Sequence, residues 1–333
     1  MLLSALAGAV ACPTGGARAQ GAVDAPLLVV GGPTDGPLAA WANAMAPALG
    51  RGLVPAAPLH VTYLGGADGV TGANQMETQG VPDGRSALLV PGAAALAWLV
   101  GDPRARFDVA RWVPALAAIG TTVLCCRSSL VALRSGIEVR LAGGTIGGPD
   151  LPALLGLELL GARVTLVQVR PEQAIPAVRA GQSDAVLLSG RDLAKIPLLA
   201  QVGVRPVAVL GLMDERGAPT RDPSRPDLPS VAEIIGPSRS PLLPAWRATA
   251  VAVGLDALLA LPAITAAAQV AQWRRAALAA GNGSELQAVA LAQGSHILAN
   301  PAAPAMAFAA AADSGSMLEL RRWLAQRWNW RPA

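Results

Sequence analysis

One junction, repeated along the chain, limits the possible folds more than any other feature. At residues 27–37, LLVVGGPTDGP, an apolar run stops at two glycines, and apolar residues then return at helical spacing. The stretches GGADGVTG (65–72) and GGTIGGPD (143–150) occupy equivalent places. Each of these Gly-rich turns follows a predicted strand and opens a predicted helix. The alternation predicts βαβ units around mainly parallel sheets.

The apolar segments group into two units of this kind. In the first unit the predicted strands lie at 27–30, 60–64 and 87–90, and the strand at 121–126 leads out of it. The second unit covers about 127–237, and its predicted strands lie at 139–142, 164–169, 185–188 and 205–210.

The chain becomes very apolar after residue 245, and residues 248–271 raise the question of a membrane span. Asp256 and Pro262 lie inside this stretch, and much of its apolarity is alanine, which inserts weakly into membranes. We therefore expect a buried strand, followed by a helix that begins at Pro262. An amphipathic helix at 318–330 is expected to dock its tryptophan side on the core, with a membrane-surface helix as the alternative.

Composition excludes several classes of function. The chain has 333 residues, of which 53% are hydrophobic and 14% are charged, so it can form two domains with large cores. A net charge of +4 without a basic stripe argues against nucleic acid as a partner. His60 and His296 are the only histidines, and neither has a metal-ligand neighbour one helical turn away. Cys125 and Cys126 lie in a predicted strand as small buried side chains. The sequence thus predicts no metal, no cofactor and no catalytic residue.

Residues 1–19 have features of an export signal. Residues 2–11 form a short apolar run, and Ala17-Arg18-Ala19 has the small-x-small pattern that signal peptidase cleaves. Cleavage after Ala19 would leave Gln20 as the N-terminus of a periplasmic protein. No Lys or Arg precedes the apolar run, so a misassigned start or a plain N-terminal helix remains the alternative.

The three Gly-rich turns share a physical property. The first turn of a helix leaves backbone N–H groups without partners and carries partial positive charge, and glycine lets a ligand approach that backbone. Two such turns that face each other would hold a carboxylate or phosphate without arginine. The alternative is that they are ordinary turns in a glycine-rich chain. Their glycine spacing matches neither a P-loop nor a dinucleotide fingerprint.

Four stretches resemble a known family in their order and approximate spacing. They are GGPTDGPLAAWANAMAPALG, GGADGVTGANQMETQGVPDGRSALLV, VRPEQAIPAVRAGQSDAVLLSG and SRPDLPSVAEIIG. The chain resembles the Bug family of extracytoplasmic solute-binding proteins, which are related to the receptors of tripartite tricarboxylate transporters. The resemblance covers most of residues 25–237 and fades beyond about 250.

The resemblance implies a two-lobed, periplasmic-binding-protein-like α/β fold whose lobes are joined by two crossing strands. Lobe 1 would comprise residues 24–122 and 246–333, and lobe 2 residues 123–245. A small carboxylated solute would bind in the cleft between the lobes, which would close on it and deliver it to the permease subunits of a tripartite tricarboxylate-type transporter. The ligand-binding residues implied are Gly32, Pro33, Thr34, Asp35, Gly66, Ala67, Asp68, Gly69, Gly147, Gly148, Pro149 and Asp150.

The second lobe departs from the family pattern. A stretch usually rich in Ser, Thr and His is here Asp150-Leu151-Pro152-Ala153-Leu154, and the usual Tyr-Lys-Gly is Val169-Arg170-Pro171. Arg170 is included among the ligand-binding residues as a replacement donor, although an arginine at a strand end is commonly a surface charge.

Two other functions stay open beside solute binding. One is a degenerate relative that acts as a sensor or accessory partner of a membrane protein. The other is an enzyme, for which Asp35, Asp68 and Asp150 are the candidate acids or bases, although acidic residues at helix starts are usually caps.

Overall fold

A computed structural model describes residues 25–210, 212–214 and 218–331. The predicted export signal lies outside the described residues. The strands are β1 (Leu27–Val30), β2 (His60–Tyr63), β3 (Ser86–Val90), β4 (Val113–Gly120), β5 (Thr122–Cys126), β6 (Glu138–Gly143), β7 (Arg163–Gln168), β8 (Ala185–Ser189), β9 (Arg205–Val209), β10 (Leu212–Met213), β11 (Pro219–Thr220), β12 (Leu255–Leu261) and β13 (Ser295–Leu298).

Most of these strands alternate with helices, as predicted. The helices are α1 (Pro37–Gly52), α2 (Val70–Gln79), α3 (Gly92–Val100), α4 (Leu130–Arg134), α5 (Leu151–Leu159), α6 (Ala174–Arg179), α7 (Ile196–Ala200), α8 (Val231–Ile235), α9 (Leu242–Gly254), α10 (Ala267–Gly281), α11 (Ser284–Gln293), α12 (Ala302–Ala311) and α13 (Ser314–Trp328). No helix in the described part of the chain is both long and apolar enough to cross a membrane.

The strands form two principal sheets, one in each lobe. The first has the order β13-β4-β12-β3-β1-β2, and the second has the order β7-β6-β8-β5-β9. The two-lobed α/β fold is therefore confirmed. The sheets are mixed rather than mainly parallel: β1 pairs in parallel with β2 and β3, and β6 with β7 and β8, whereas the remaining pairs in both sheets are antiparallel. The antiparallel strands are those close to the crossings between the lobes.

The chain passes from the first sheet to the second through β4 and β5, which are separated only by Thr121. It returns through the helix α9 rather than through the second crossing strand that the resemblance implied. This helix packs on both α3 and α5, and the Trp246 indole Nε1 donates a 3.0 Å hydrogen bond to the carbonyl of Pro152. The lobe boundaries 24–122 plus 246–333 and 123–245 remain a prediction.

A hydrophobic core continues from one lobe into the other. It contains Val29 and Leu88 of the first sheet together with Leu141 and Val164 of the second. A separate core lies on the opposite face of the first sheet, where α1 buries an apolar stripe of Leu38, Trp41, Met45 and Leu49. Because apolar packing joins the lobes, their relative position depends on more than the crossing segments.

The two adjacent cysteines are buried in β5, as predicted. Cys125 and Cys126 are free, and burial raises the pKa of the Cys125 thiol to about 12. Removing a thiolate from water is unfavourable, which keeps the thiol protonated.

The helix α13 connects the lobes at a second place. Its Arg321 guanidinium donates hydrogen bonds of 2.8 and 3.1 Å to the carbonyls of Trp98 and Leu99 at the end of α3. Further along the same helix, the Trp323 indole and the Arg327 guanidinium donate hydrogen bonds to the Glu158 carboxylate of α5, at 2.8 and 2.9 Å. The predicted amphipathic helix thus lies across both lobes.

Candidate functional site

The structure brings the two first-lobe turns into contact. A Cβ built on Gly31 would lie 3.1 Å from the carbonyl oxygen of Gly69, and one built on Gly72 would lie 2.7 Å from the Cα of Gly31. Glycine is therefore required for this approach, because a side chain at Gly72 would separate the turns. Gly69 has φ of +75°, a conformation that glycine adopts without strain, and it opens α2.

The two turns expose backbone donors at the ends of β1 and β2. The N–H groups of Thr34, Asp35, Gly66 and Ala67 have no hydrogen-bond acceptor in the described part of the chain, and these four residues are exposed. Two helix N-termini, those of α1 and α2, stand behind them. The arrangement can bind an anion through backbone amides and aligned peptide dipoles.

The aspartates of these turns have different surroundings. The Asp68 carboxylate accepts a hydrogen bond from the N–H of Val70 at 3.2 Å and lies 3.0 Å from the Arg104 guanidinium. Asp35 is exposed. Asp68 is thus held in a structural role, and the cationic Arg104 lowers the negative potential that its carboxylate places near the turns. The sequence carried no signal for this ion pair.

The third turn, at 143–150, closes on itself through Asp150. This residue occupies the N-cap position of α5 but does not cap the helix, which corrects the sequence prediction. Its carboxylate instead accepts a 2.9 Å hydrogen bond from the N–H of Gly144, and burial raises its pKa above the usual range for an aspartate. The side chain faces back into the turn because its backbone is helical, whereas a capping residue is normally extended.

An aromatic side chain covers the third turn. A Cβ built on Gly147 would lie 2.6 Å from the Trp330 ring, so the indole packs directly on this glycine. Gly148 is half-buried and its N–H donates to the carbonyl of Thr145. Pro149, the remaining predicted residue of the turn, is exposed and has no N–H to donate. Sequence reasoning missed this contact because Trp330 belongs to the segment after α13.

Arg170 lies on the surface. Its guanidinium forms a 3.2 Å ion pair with Glu172, and its side chain is 72% exposed. An exposed pair of this kind contributes little to stability. The structure thus favours the surface charge over the replacement donor.

A serine, a histidine and an aspartate come together elsewhere. Nε2 of His296 in β13 lies 2.8 Å from Oγ of Ser224 and 3.5 Å from Oδ1 of Asp222. Both partners face the same ring nitrogen, whereas a catalytic triad places them on opposite nitrogens. The histidine therefore has the structural role expected from the sequence, and it ties β13 to the loop after β11.

The comparisons with known proteins give a fold and no sequence family. No protein-family model and no curated protein sequence matches the chain. A TctC solute-binding protein from Polaromonas, solved without ligand, has a TM-score of 0.67 at 16% identity, over 90% of this chain and 99% of that chain. MatC from Rhodopseudomonas palustris, solved with bound malate, has a TM-score of 0.50 at 20% identity, over 92% and 98% of the two chains. The periplasmic binding protein BugD has a TM-score of 0.49 at 18% identity, over 91% and 96%.

The chain therefore has the fold of the TctC solute-binding protein. The resemblance that the sequence motifs indicated is confirmed at the level of the fold. Within the fourth of those stretches, PDLPSVAE (226–233) leads into α8, where Ser230 and Glu233 make a reciprocal capping box.

Proposed function

We propose that the chain is an extracytoplasmic solute-binding protein that captures a small carboxylated solute between its lobes and delivers it to a membrane transporter. The observation that carries this proposal is the contact between the turns at 31–36 and 65–72. This contact brings together the two turns that carry free amides at helix N-termini, and we propose that a carboxylate is held there by hydrogen bonds and by helix dipoles. MatC, with the same fold, was solved with malate bound, which supports the carboxylate class.

The chemistry of the third turn limits which class of solute can bind. Trp330 covers Gly147, and Asp150 is engaged with Gly144, so this turn offers an apolar ring and few free donors. We propose that the first lobe binds the carboxylate and that the rest of the solute is apolar. The permease subunits of a tripartite tricarboxylate-type transporter would be its membrane partner, and no chemistry of its own is required.

The test is binding of a defined panel to the purified chain that begins at Gln20. Malate, adipate, citrate and benzoate are titrated by calorimetry and by thermal unfolding, because a ligand that binds only the native state raises the unfolding temperature. We expect at least one of them to bind with a dissociation constant in roughly the micromolar range, which corresponds to a binding free energy of about 8 kcal/mol in magnitude.

A variant pair locates the binding. Ala67→Asp places a carboxylate beside the free amides and is expected to abolish binding by repulsion. Ala271→Asp makes the same change at an exposed alanine of α10 and should bind like the parent. Normal binding by Ala67→Asp would contradict the site.

A second candidate function is favoured by the covered third turn. If Trp330 and Asp150 occupy the place where the second lobe would otherwise donate hydrogen bonds to a solute, the chain is an accessory or sensor protein of a membrane partner. That function predicts no thermal shift with any member of the panel, together with retention of a membrane protein on the immobilised chain.

A further inference from the structure

The helix α12 has an apolar face that no described residue covers. None of the side chains in its sequence, AAPAMAFAAA, is charged or is a hydrogen-bonding polar group, so both faces of the helix are apolar. One face buries Ala303, Met306 and Ala310 against β4 and α9. On the other face Phe308 is 82% exposed. Helices that are apolar all round are normally buried, and a sizeable exposed apolar patch commonly marks a binding site.

This face forms one wall of a groove of about 860 Å³. Pro244 and Arg247 of α9, together with Met213 and Ala110, also line it. A volume of this size lies within the range of small-molecule sites, roughly 300–1,000 Å³. Because the groove is concave and bounded by several elements, it suits a small molecule better than a flat protein surface.

The groove contains an unpaired cation. Arg247 has no hydrogen bond or ion pair with any described residue, and its Nε is buried without a partner. The carboxylate of Asp313, which also lines the groove, is engaged elsewhere: it caps α13 by accepting from the N–H of Ser316 at 3.0 Å and from its hydroxyl at 2.5 Å. A buried guanidinium N–H without an acceptor is unfavourable, so an anion that entered the groove would gain a charge-assisted hydrogen bond.

We infer that this groove is a second ligand site, separate from the turns at 31–36 and 65–72, for an amphipathic organic anion. The carboxylate of the ligand pairs with Arg247, and its hydrocarbon chain lies along Pro304 and Phe308. None of the ligand-binding residues predicted from the sequence lines the groove. The inference therefore holds whether or not the proposed transport function does.

The probe is 8-bromooctanoate, which carries a carboxylate for Arg247 and a hydrocarbon chain for the apolar lining residues. Calorimetry should show saturable binding to the parent chain, and 8-bromooctan-1-ol should bind roughly tenfold or more weakly, because it lacks the charge. The bromine position is then read from anomalous diffraction of soaked crystals. A bromine peak beside Phe308 supports the site. A peak only beside the turns at 31–36 and 65–72, no saturable binding, or equal binding of the alcohol overturns it.

Four variants complete the test. Arg247→Gln should weaken 8-bromooctanoate binding roughly tenfold, as the alcohol does, whereas Arg275→Gln removes an exposed arginine outside the groove and should not. Phe308→Glu changes an exposed side chain, so it should fold, and its carboxylate should exclude the probe. Ala67→Asp should leave probe binding unchanged, which separates this site from the cleft. Unchanged binding by both Arg247→Gln and Phe308→Glu refutes the inference.

Discussion

Replacing Gly72 by alanine tests the contact on which the anion site depends. A Cβ at this position would lie 2.7 Å from the Cα and 3.2 Å from the nitrogen of Gly31. The Gly31 N–H donates a 2.8 Å hydrogen bond to the carbonyl of Leu89, so that residue cannot move freely. The new methyl group must therefore push the start of α2 away from the first turn.

The magnitude follows from two opposing effects. Forcing a methyl group into a close backbone contact costs about 1–3 kcal/mol. Alanine is a better helix residue than glycine by up to about 1 kcal/mol, which offsets part of that cost. We expect Gly72→Ala to lower the free energy of unfolding by about 1 kcal/mol and to weaken carboxylate binding.

Gly66→Ala is the matched control for stability; because Gly66 belongs to the proposed anion site, the binding of Gly72→Ala is compared with the parent chain instead. Its Cβ would have Asp68 Oδ1 as nearest neighbour, at 3.7 Å, which is ordinary contact. Replacing a glycine without strain changes stability by less than about 1 kcal/mol, usually upwards. Urea unfolding followed by tryptophan fluorescence and calorimetric titration of the carboxylate compare the two variants with the parent. The reasoning is refuted if Gly72→Ala is as stable as Gly66→Ala and binds the carboxylate with the same affinity as the parent chain.

Three further changes have defined outcomes. Glu158→Ala leaves the indole and guanidinium donors of α13 without their acceptor and should cost about 1–2 kcal/mol in urea unfolding, while the exposed ion-pair variant Glu319→Ala should cost less than about 0.5 kcal/mol. Ser230→Ala removes the capping box of α8 and should cost about 1 kcal/mol, and an unchanged urea midpoint would show that the cap is dispensable. Burial raises the pKa of Asp150, so the native state binds this proton more tightly than the unfolded chain, and stability falls as the pH rises from the usual carboxyl pKa toward neutral. Asp150→Asn should remove that part of the pH dependence, and an unaltered pH profile of unfolding would contradict the assignment.

The sequence predicted best those elements whose ends carry strong local signals. Strand β1 and helix α1 were predicted closely because two glycines and Pro37 separate an apolar run from a helical stripe. The capping box of α8 is equally local. Where each element had its own start and stop residues, few long-range contacts were needed to define it.

Buried segments without such signals were missed or misread. Strand β4, VPALAAIG, was not predicted because it is almost wholly buried and shows no alternation between apolar and polar residues. Helix α9 was also missed, because Arg247 and Thr249 are the only polar residues in its sequence and do not define a clear helical stripe. The prediction of strand β12 was right, but α10 begins at Ala267 rather than at Pro262.

The candidate site likewise has one part that could be predicted from the sequence and another that could not. Its first-lobe turns could be found because their backbone donors follow from glycine-rich helix starts. The covering of Gly147 by Trp330 and the pairing of Asp68 with Arg104 depend on residues far away along the chain, and no spacing encodes them. The unpaired Arg247 could not be recognised at all without the groove around it.

The burial of the cysteine pair in β5 has a consequence for handling and for export. Disulfide exchange and oxidation require a thiolate that reagents can reach, and a Cys125 pKa of about 12 leaves almost none at neutral pH. Once folded, this cysteine pair therefore resists scrambling and needs no reductant to protect it, even in an oxidising compartment. Alkylating reagents applied to the native protein should leave both sulfurs unmodified, and labelling would then report unfolding alone.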